Sequence, residues 1–257
     1  MISFDNQTAA IITVRALSTR LPKKCFQKLY NNKSMLEIVS ERAKQIGCRV
    51  IIATSEDDSD DEIENFANSI NVDIFRGSLL NKIHRWHECY DHFKLSSAVI
   101  IDADDPSFSF SLMNRSLIQL QSSQKDMITG SENLMPGFMT YGFNRKGIEK
   151  LFCVARNINL DTDVINIFID KAKLSKSIIY PENHEIKIDK IRLTVDYHED
   201  VIFYNELFNK ISYLSESHKM IEVIIEKKIN TINWFRHEEF LMNQENFNKK
   251  ILSTSST

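Results

Sequence analysis

Between residues 9 and 120, short runs of β-branched and small apolar residues alternate with apolar residues at helical spacing, and the linkers between them are brief. No other feature narrows the fold as far. Ala9, Ala10, Ile11, Ile12 and Val14 read as a buried strand. Leu36, Val39, Ala43 and Ile46 fall on one helical face over 34–46, and Gly47 supplies a stop. A strand over 49–53, a helix carrying Ile63, Phe66, Ala67 and Ile70, and a third strand over 72–75 repeat the unit. Ile83, Trp86, Tyr90 and Phe93 form the next apolar stripe, followed by a fourth strand over 97–101 and a helix over 112–120. Such an alternation predicts an α/β domain, with a mostly parallel sheet and helices on both faces.

Beyond this repeat, 126–143 reads as extended chain with turns at Gly130 and at Pro136 and Gly137. Helices are expected over 146–154 and 163–172, a last β-branched strand over 191–197 and a helix over 198–211. The α/β domain would then cover 1–214. Met220, Val223 and Ile224 mark an appended helical element over 215–244, which either packs on its own domain or makes the contact of a homodimer. Residues 245–257 read as a frayed tail.

A chain of 257 residues buries a full core without disulfides or a structural metal. Its net charge of −3 argues against a protein whose main business is nucleic-acid backbone, and local cations must carry any anion binding. Cys25, Cys48, Cys89 and Cys153 are scattered without a C-x-x-C pair, which predicts reduced thiols and a cytoplasmic setting. The first residues lack a basic patch followed by an apolar run, and no stretch approaches the roughly 18 apolar residues of a membrane span.

Three places carry chemistry. Arg15, Ser18, Thr19, Arg20, Lys23 and Lys24 crowd around Pro22 in the loop leaving the first strand, where open α/β sheets place ligands. Cations and hydroxyls there suit a polyphosphate, against the plainer alternative of a solvated basic loop; no Walker or dinucleotide glycine pattern is present. Asp102, Asp104 and Asp105 end the fourth strand, either as a magnesium site or as acids favoured at the following helix N-terminus. Asp196 ends the last expected strand and offers that cluster a partner. The run HRWHECYDH offers His and Cys side chains, but all on one helix, whereas closed zinc sites draw on separate elements; packing is the expected role. No Ser/His/Asp or Cys/His nucleophile arrangement is evident.

Four stretches together make the chain resemble the cytidylyltransferase family, in its spore-coat-polysaccharide branch related to acylneuraminate and octulosonate CMP-sugar synthetases. Residues 11–24, IITVRALSTRLPKK, stand where that family has I-I-Q-A-R-x-G-S-x-R-L-P-x-K. Phe75, Arg76, Gly77 and Ser78 match its F-R-G-S, Asp104 to Pro106 its D-x-P, and RLTVDY with Glu199 and Asp200 its R-x-T-V-D-Y-x-E-D. The similarity covers about residues 8 to 210. It implies a Rossmann-like nucleotide-binding sheet of the nucleotide-diphospho-sugar transferase type. It further implies transfer of CMP from CTP to a sugar or sugar acid with release of pyrophosphate, for surface polysaccharide or glycan synthesis. By the same resemblance Arg15, Ser18, Arg20, Lys24 and Arg76 bind the nucleotide, Asp104 and Asp196 hold Mg2+, and Arg15, Lys24, Asp104 and Asp196 are the catalytic set. Neither nucleic acid nor membrane is an expected partner.

Departures from the pattern keep a second reading in view. Leu17 stands for the loop glycine, Thr13 for the glutamine, and Ile100, Ile101 and Asp102 for the R-x-T before the D-x-P. Segments that help shape the sugar side also differ, at Gly137 to Tyr141 and near Asp161 to Val164. A leucine at 17 would push the triphosphate away or strain the backbone. The alternative is a catalytically impaired relative that keeps the nucleotide fold as a binding or scaffolding module. A receiver-like phospho-acceptor domain also has acidic strand ends, but the basic loop on the first strand speaks against it.

Overall fold

The computed structural model describes residues 4–18, 20–157 and 165–254, with side chains as far as residue 246. Among these residues the central sheet has seven strands: β1 (Thr8–Thr13), β4 (Arg49–Ser55), β5 (Asp73–Gly77), β6 (Ser97–Asp102), β7 (Met127–Gly130), β8 (Tyr141–Asn144) and β9 (Lys176–Ile179). Two short strands, β2 (Lys28–Tyr30) and β3 (Lys33–Ser34), form a separate hairpin. The order across the main sheet is β5-β4-β1-β6-β8-β7-β9. β5, β4, β1 and β6 run parallel, β8 pairs antiparallel with both β6 and β7, and β9 joins β7 in parallel. The parallel half thus follows the 3-2-1-4 order of a Rossmann-like sheet and not the 2-1-3-4 order of a receiver domain.

Alternation along β1 shows why these residues make a central strand. Ala9 and Ile11 face one hydrophobic core, while Ala10 and Ile12 face the other, and all four are fully buried. The first core is completed by α3 (Lys82–Phe93), α5 (Arg145–Ala155) and α6 (Ile165–Lys171), with Trp86 and Ile148 fully buried in it. The second is completed by α1 (Met35–Lys44), α2 (Asp61–Ser69), α4 (Phe110–Ser123), α7 (His198–Phe208) and α8 (Ser217–Glu226). Ser34, Asn81, Ser109 and Asn144 accept backbone hydrogen bonds that cap α1, α3, α4 and α5.

The register aligns the ends that matter. Thr13 of β1 lies opposite Ala53 and Asp102, so the loops leaving β1 and β6 emerge side by side. Val14 N then donates to Ala53 O at 3.2 Å and Ala103 N to Thr13 O at 3.3 Å, which carries the parallel alignment past the last strand residues.

Residues 191–197, expected as a strand, are extended but outside the sheet. Ile191, Leu193 and Val195 are buried there, and Val195 N donates to Asp104 O at 2.8 Å. β-Branched composition reported burial of extended chain, not a ladder. The strand that fills the edge is instead β9, a four-residue segment with two exposed positions and no alternation to read. The apolar residues of the expected appended element serve the chain's own core: Met220 and Ile224 are fully buried in it. Arg42, itself fully buried on α1, donates to Ser215 O and to the Ser217 hydroxyl and ties the start of α8 to the domain. The last helix, α9 (His237–Thr254), carries the backbone through most of the stretch expected to fray. No helix among the described residues is long and apolar enough to cross a membrane.

Candidate active site

At the C-terminal ends of β1 and β6 opens a cleft of about 1720 Å³, walled by the basic loop, the 102–105 segment, the 187–196 segment and the start of α9. The basic loop is held there by apolar anchors. Leu21 and Cys25 are buried, and Lys23 at φ 49° turns the chain into a 3-10 turn beginning at Lys24. With Cys25 drawn into the core, Lys24 projects into the cleft. Its ammonium lies 2.6 Å from Asp104 Oδ2 and 3.1 Å from Asp196 Oδ1. Burial pulls the Lys24 pKa down, but the two carboxylates more than offset it and leave it above the ordinary lysine value. Arg20 Nη2 donates to the same Asp196 Oδ1 at 2.6 Å. Arg15 Nη1 donates to Leu79 O at 3.1 Å, and Ser18 Oγ accepts from Leu21 N at 3.4 Å.

Asp196 is buried and built from behind. Arg192 Nη2 donates to its second oxygen at 2.9 Å, and Arg192 Nε donates to Asp200 Oδ1 at 3.1 Å. Asp200 also accepts from Asp196 N, Tyr197 N and Asn233 Nδ2. The Arg192 guanidinium in turn lies over the rings of Phe240, at 4.4 Å, and Tyr197, at 5.4 Å, so α9 packs on the support of the aspartate. Burial raises the Asp196 pKa, yet Lys24, Arg20 and Arg192 outweigh it and hold the carboxyl below its usual range. Asp105 is the opposite case at the cleft floor. Burial first, then Asp104, Asp102 and Asp196, push its carboxyl well above the usual range. Gly137, at φ +86°, lies beside it, where a Cβ would meet Leu193 Cβ at 3.2 Å and Asp105 Oδ1 at 3.5 Å.

Asp102 is paired separately. Lys82 Nζ donates to its Oδ1 at 2.9 Å and Thr140 Oγ1 to its Oδ2 at 3.2 Å. All three of these residues face the cleft.

Of the expected site residues, Arg15, Ser18, Arg20, Lys24, Asp104 and Asp196 meet in this one cleft. Arg76 does not. It sits on β5 at the sheet edge and donates to Asp61 and Glu64, both at 2.6 Å, and to the carbonyls of Ser55 and Asp57. The acidic loop after β4 is its nearest electrostatic complement, and it turns there instead of toward the cleft. Leu17 lines the cleft at 66% exposure without a left-handed backbone, so the missing glycine costs no strain. The expected sugar-side segment near Asp161 to Val164 lies outside the described residues. Lys82, Arg192 and the α9 residues Phe240 and Asn243 also line the cleft, and Asp200 supports it from behind, roles that the sequence does not announce. Arg192 and Asp200 stand in the motif that carries Asp196, but the pairing depends on a chain turn that sequence spacing does not reveal.

The donors fit a hard divalent cation. Both carboxylates already converge on one cationic atom, Lys24 Nζ, and magnesium typically takes one or two protein carboxylates and fills its remaining positions with water and phosphate oxygens. Among the described residues, no group of three His, Cys, Asp or Glu gathers as a metal cage. The histidines of α3 are used in packing: His87 stacks on Phe152 at 4.1 Å, His84 lies 5.1 Å from the same ring, and His92 packs on Phe75 and Phe93.

A cationic loop after the first strand and two aspartates sharing one cation, set at the ends of a 3-2-1-4 sheet, define a nucleotidyltransferase type of cleft. The chain matches the cytidylyltransferase family over residues 9–244 and belongs to it. That match runs past residue 214 through most of the C-terminal helical region. A cytidylyltransferase structure from Leptospira borgpetersenii superposes with a TM-score of 0.77 at 22% identity, covering 88% of this chain and 97% of the other. The structure of CMP:2-keto-3-deoxy-manno-octonic acid synthetase complexed with CTP gives 0.62 at 13% identity, covering 79% and 99%. An uncharacterized protein of Methanocaldococcus jannaschii is 26% identical over 227 residues, which is 87% of this chain and 93% of the relative. At these identities the two structures share the fold with this chain.

Proposed function

We propose that this cytidylyltransferase-family chain transfers CMP from CTP to a hydroxyl of a sugar or sugar acid and releases pyrophosphate, in the service of a surface polysaccharide or glycan. The observation that carries the reading is Lys24, within hydrogen-bond reach of both Asp104 and Asp196 in the same cleft as Arg15, Ser18 and Arg20. CTP as donor is supported by the family and by the CTP complex of the octulosonate synthetase with the same fold.

Asp104 and Asp196 would hold Mg2+, which when bound offsets charge on the α-phosphoryl oxygens and the leaving pyrophosphate. Arg15, Arg20 and Lys24 bind and orient the triphosphate, and their fixed positive charge meets the negative charge that grows on the leaving group. Lys24 is released from the aspartates for that task. Lys82, Asp102 and Thr140 line the same cleft and orient the acceptor. A bond forms between the acceptor oxygen and the α-phosphorus, the bond from that phosphorus to the bridging oxygen breaks, and the hydroxyl proton passes to a base or to water. No covalent protein intermediate is needed.

Pyrophosphate release tests this, with CTP, UTP, GTP and ATP each offered with a panel of neutral sugars, amino sugars and sugar acids, with Mg2+ and with chelator. Turnover confined to CTP, dependent on the metal and reduced by orders of magnitude in Asp104→Asn and Asp196→Asn, is expected. CTP binding with no release for any acceptor would favour the scaffolding alternative, and no CTP binding would end the proposal.

A further inference from the structure

The acidic loop TSEDDSDD is prominent in the sequence and unused by the proposed reaction, yet through Asp60 it reaches the backbone of the basic loop at Ala16. We infer that Asp60 is a positioning residue, which fixes the peptide plane of Ala16 and thereby presents the cationic loop to the nucleotide phosphates. Asp60 is fully buried. Its Oδ1 accepts from Ala16 N at 2.6 Å, and its Oδ2 accepts from the Thr54 hydroxyl at 2.7 Å, from Ser55 N at 2.9 Å and from the Ser55 hydroxyl. A buried carboxylate gripped by three donors on one oxygen has no freedom to follow a wandering loop, so the loop must come to it. Because the peptide is planar, fixing the Ala16 N–H also fixes the Arg15 carbonyl. Ala16 lies between Arg15 and Leu17, both of which line the cleft.

Arg76 completes the device from the outside. It bonds the carbonyls of Ser55 and Asp57 and the carboxylates of Asp61 and Glu64, which flank Asp60, and Glu56 N donates to Gly77 O at 2.9 Å. The arginine expected at the nucleotide therefore acts on it through the acidic loop, Asp60 and Ala16. Only the identity of the ligand in this inference rests on the proposed nucleotidyltransferase reading.

The test is Asp60→Asn, which keeps the shape but places an amide N–H₂ against donors on one side. Hydrogen exchange read on peptides covering 14–18 should rise, and calorimetric affinity for CTP with Mg2+ should fall at least about tenfold, the loss of one charged hydrogen bond. Thr54→Val removes a donor from the far oxygen and leaves the Ala16 bond; it should lower the melting temperature while exchange over 14–18 and CTP affinity stay within about twofold. Unchanged exchange over 14–18 in Asp60→Asn overturns the inference, as does an equal loss of CTP affinity in both variants. If Asp60→Asn does not fold, Arg76→Ala at the sheet edge replaces it, with raised exchange over 14–18 expected and unchanged exchange overturning the inference. Failure of the wild-type chain to bind CTP would refute the nucleotidyltransferase reading, while the exchange measurement would still decide the role of Asp60.

Discussion

Replacing Lys24 by methionine keeps the aliphatic stem and removes a charge that Asp104 and Asp196 share. The Lys24 side chain is 17% exposed, that of Asp104 29% and that of Asp196 2%, so solvent screens the lost contacts only in part. Breaking a buried pair by deleting one partner costs about 3–5 kcal/mol. Asp196 retains Arg20 at 2.6 Å and Arg192 at 2.9 Å, which lowers the expected cost to about 2–3 kcal/mol. For a chain of this size that is a fall of roughly 4–12 °C in melting temperature. The same substitution opens the aspartate pair, so Mg2+ should now stabilise the variant more than the wild type, where the ion must displace the lysine. At tenfold excess over the variant's dissociation constant the gain is about 1.4 kcal/mol. Thermal unfolding with and without Mg2+, in both proteins, reads both effects. A variant as stable as the wild type, with no larger response to Mg2+, would refute the shared position of the two carboxylates.

Other consequences are local. Asp126 is buried and accepts from Lys150 at 2.7 Å and from Ser175 N at 2.8 Å; burial raises its pKa, but these partners outweigh it and leave it lowered. Its stabilisation is therefore present above the unfolded value of roughly 3.9 and lost as pH falls through the lower folded value. Urea titrations at neutral and acidic pH should accordingly show a smaller acid-induced loss in Asp126→Asn, and equal losses would contradict the assignment. Gly147→Ala would gain about 1 kcal/mol by helix propensity alone, but the new Cβ would collide with the backbone carbonyl oxygen of Asp126, and a net loss of about 2–3 kcal/mol is expected in the same assay. Leu17→Gly, at an exposed position with ordinary backbone, should change stability by less than about 1 kcal/mol and the KM for CTP by less than about threefold; a large gain in turnover would show that the leucine obstructs the phosphates.

The parallel half of the sheet was legible because β1, β4 and β6 are buried on both faces and each crossover carries its own apolar stripe. The same logic failed at 191–197, where burial without a ladder left the β-branched signal of a strand, and at β9, whose short exposed edge left almost none. The basic loop and Asp104 could be read from residue type and the family motifs because they follow the ends of β1 and β6, whereas Asp196, outside the sheet, was legible from its motif alone. Arg76 was misassigned because a motif names a residue without saying which carboxylates compete for it, and Asp61 and Glu64 do so at 2.6 Å. Arg192, Asp200 and Asp60 act through side-chain bonds between segments far apart or sharply turned. No periodicity encodes such contacts.

The most direct test of the central claim is anomalous diffraction from crystals soaked with CTP and Mn2+. The account predicts a manganese peak bound by both Asp104 and Asp196 and by a phosphate oxygen, with Lys24 moved from the carboxylates onto the triphosphate. A peak away from either aspartate, or phosphates lying clear of residues 15–24, would contradict it.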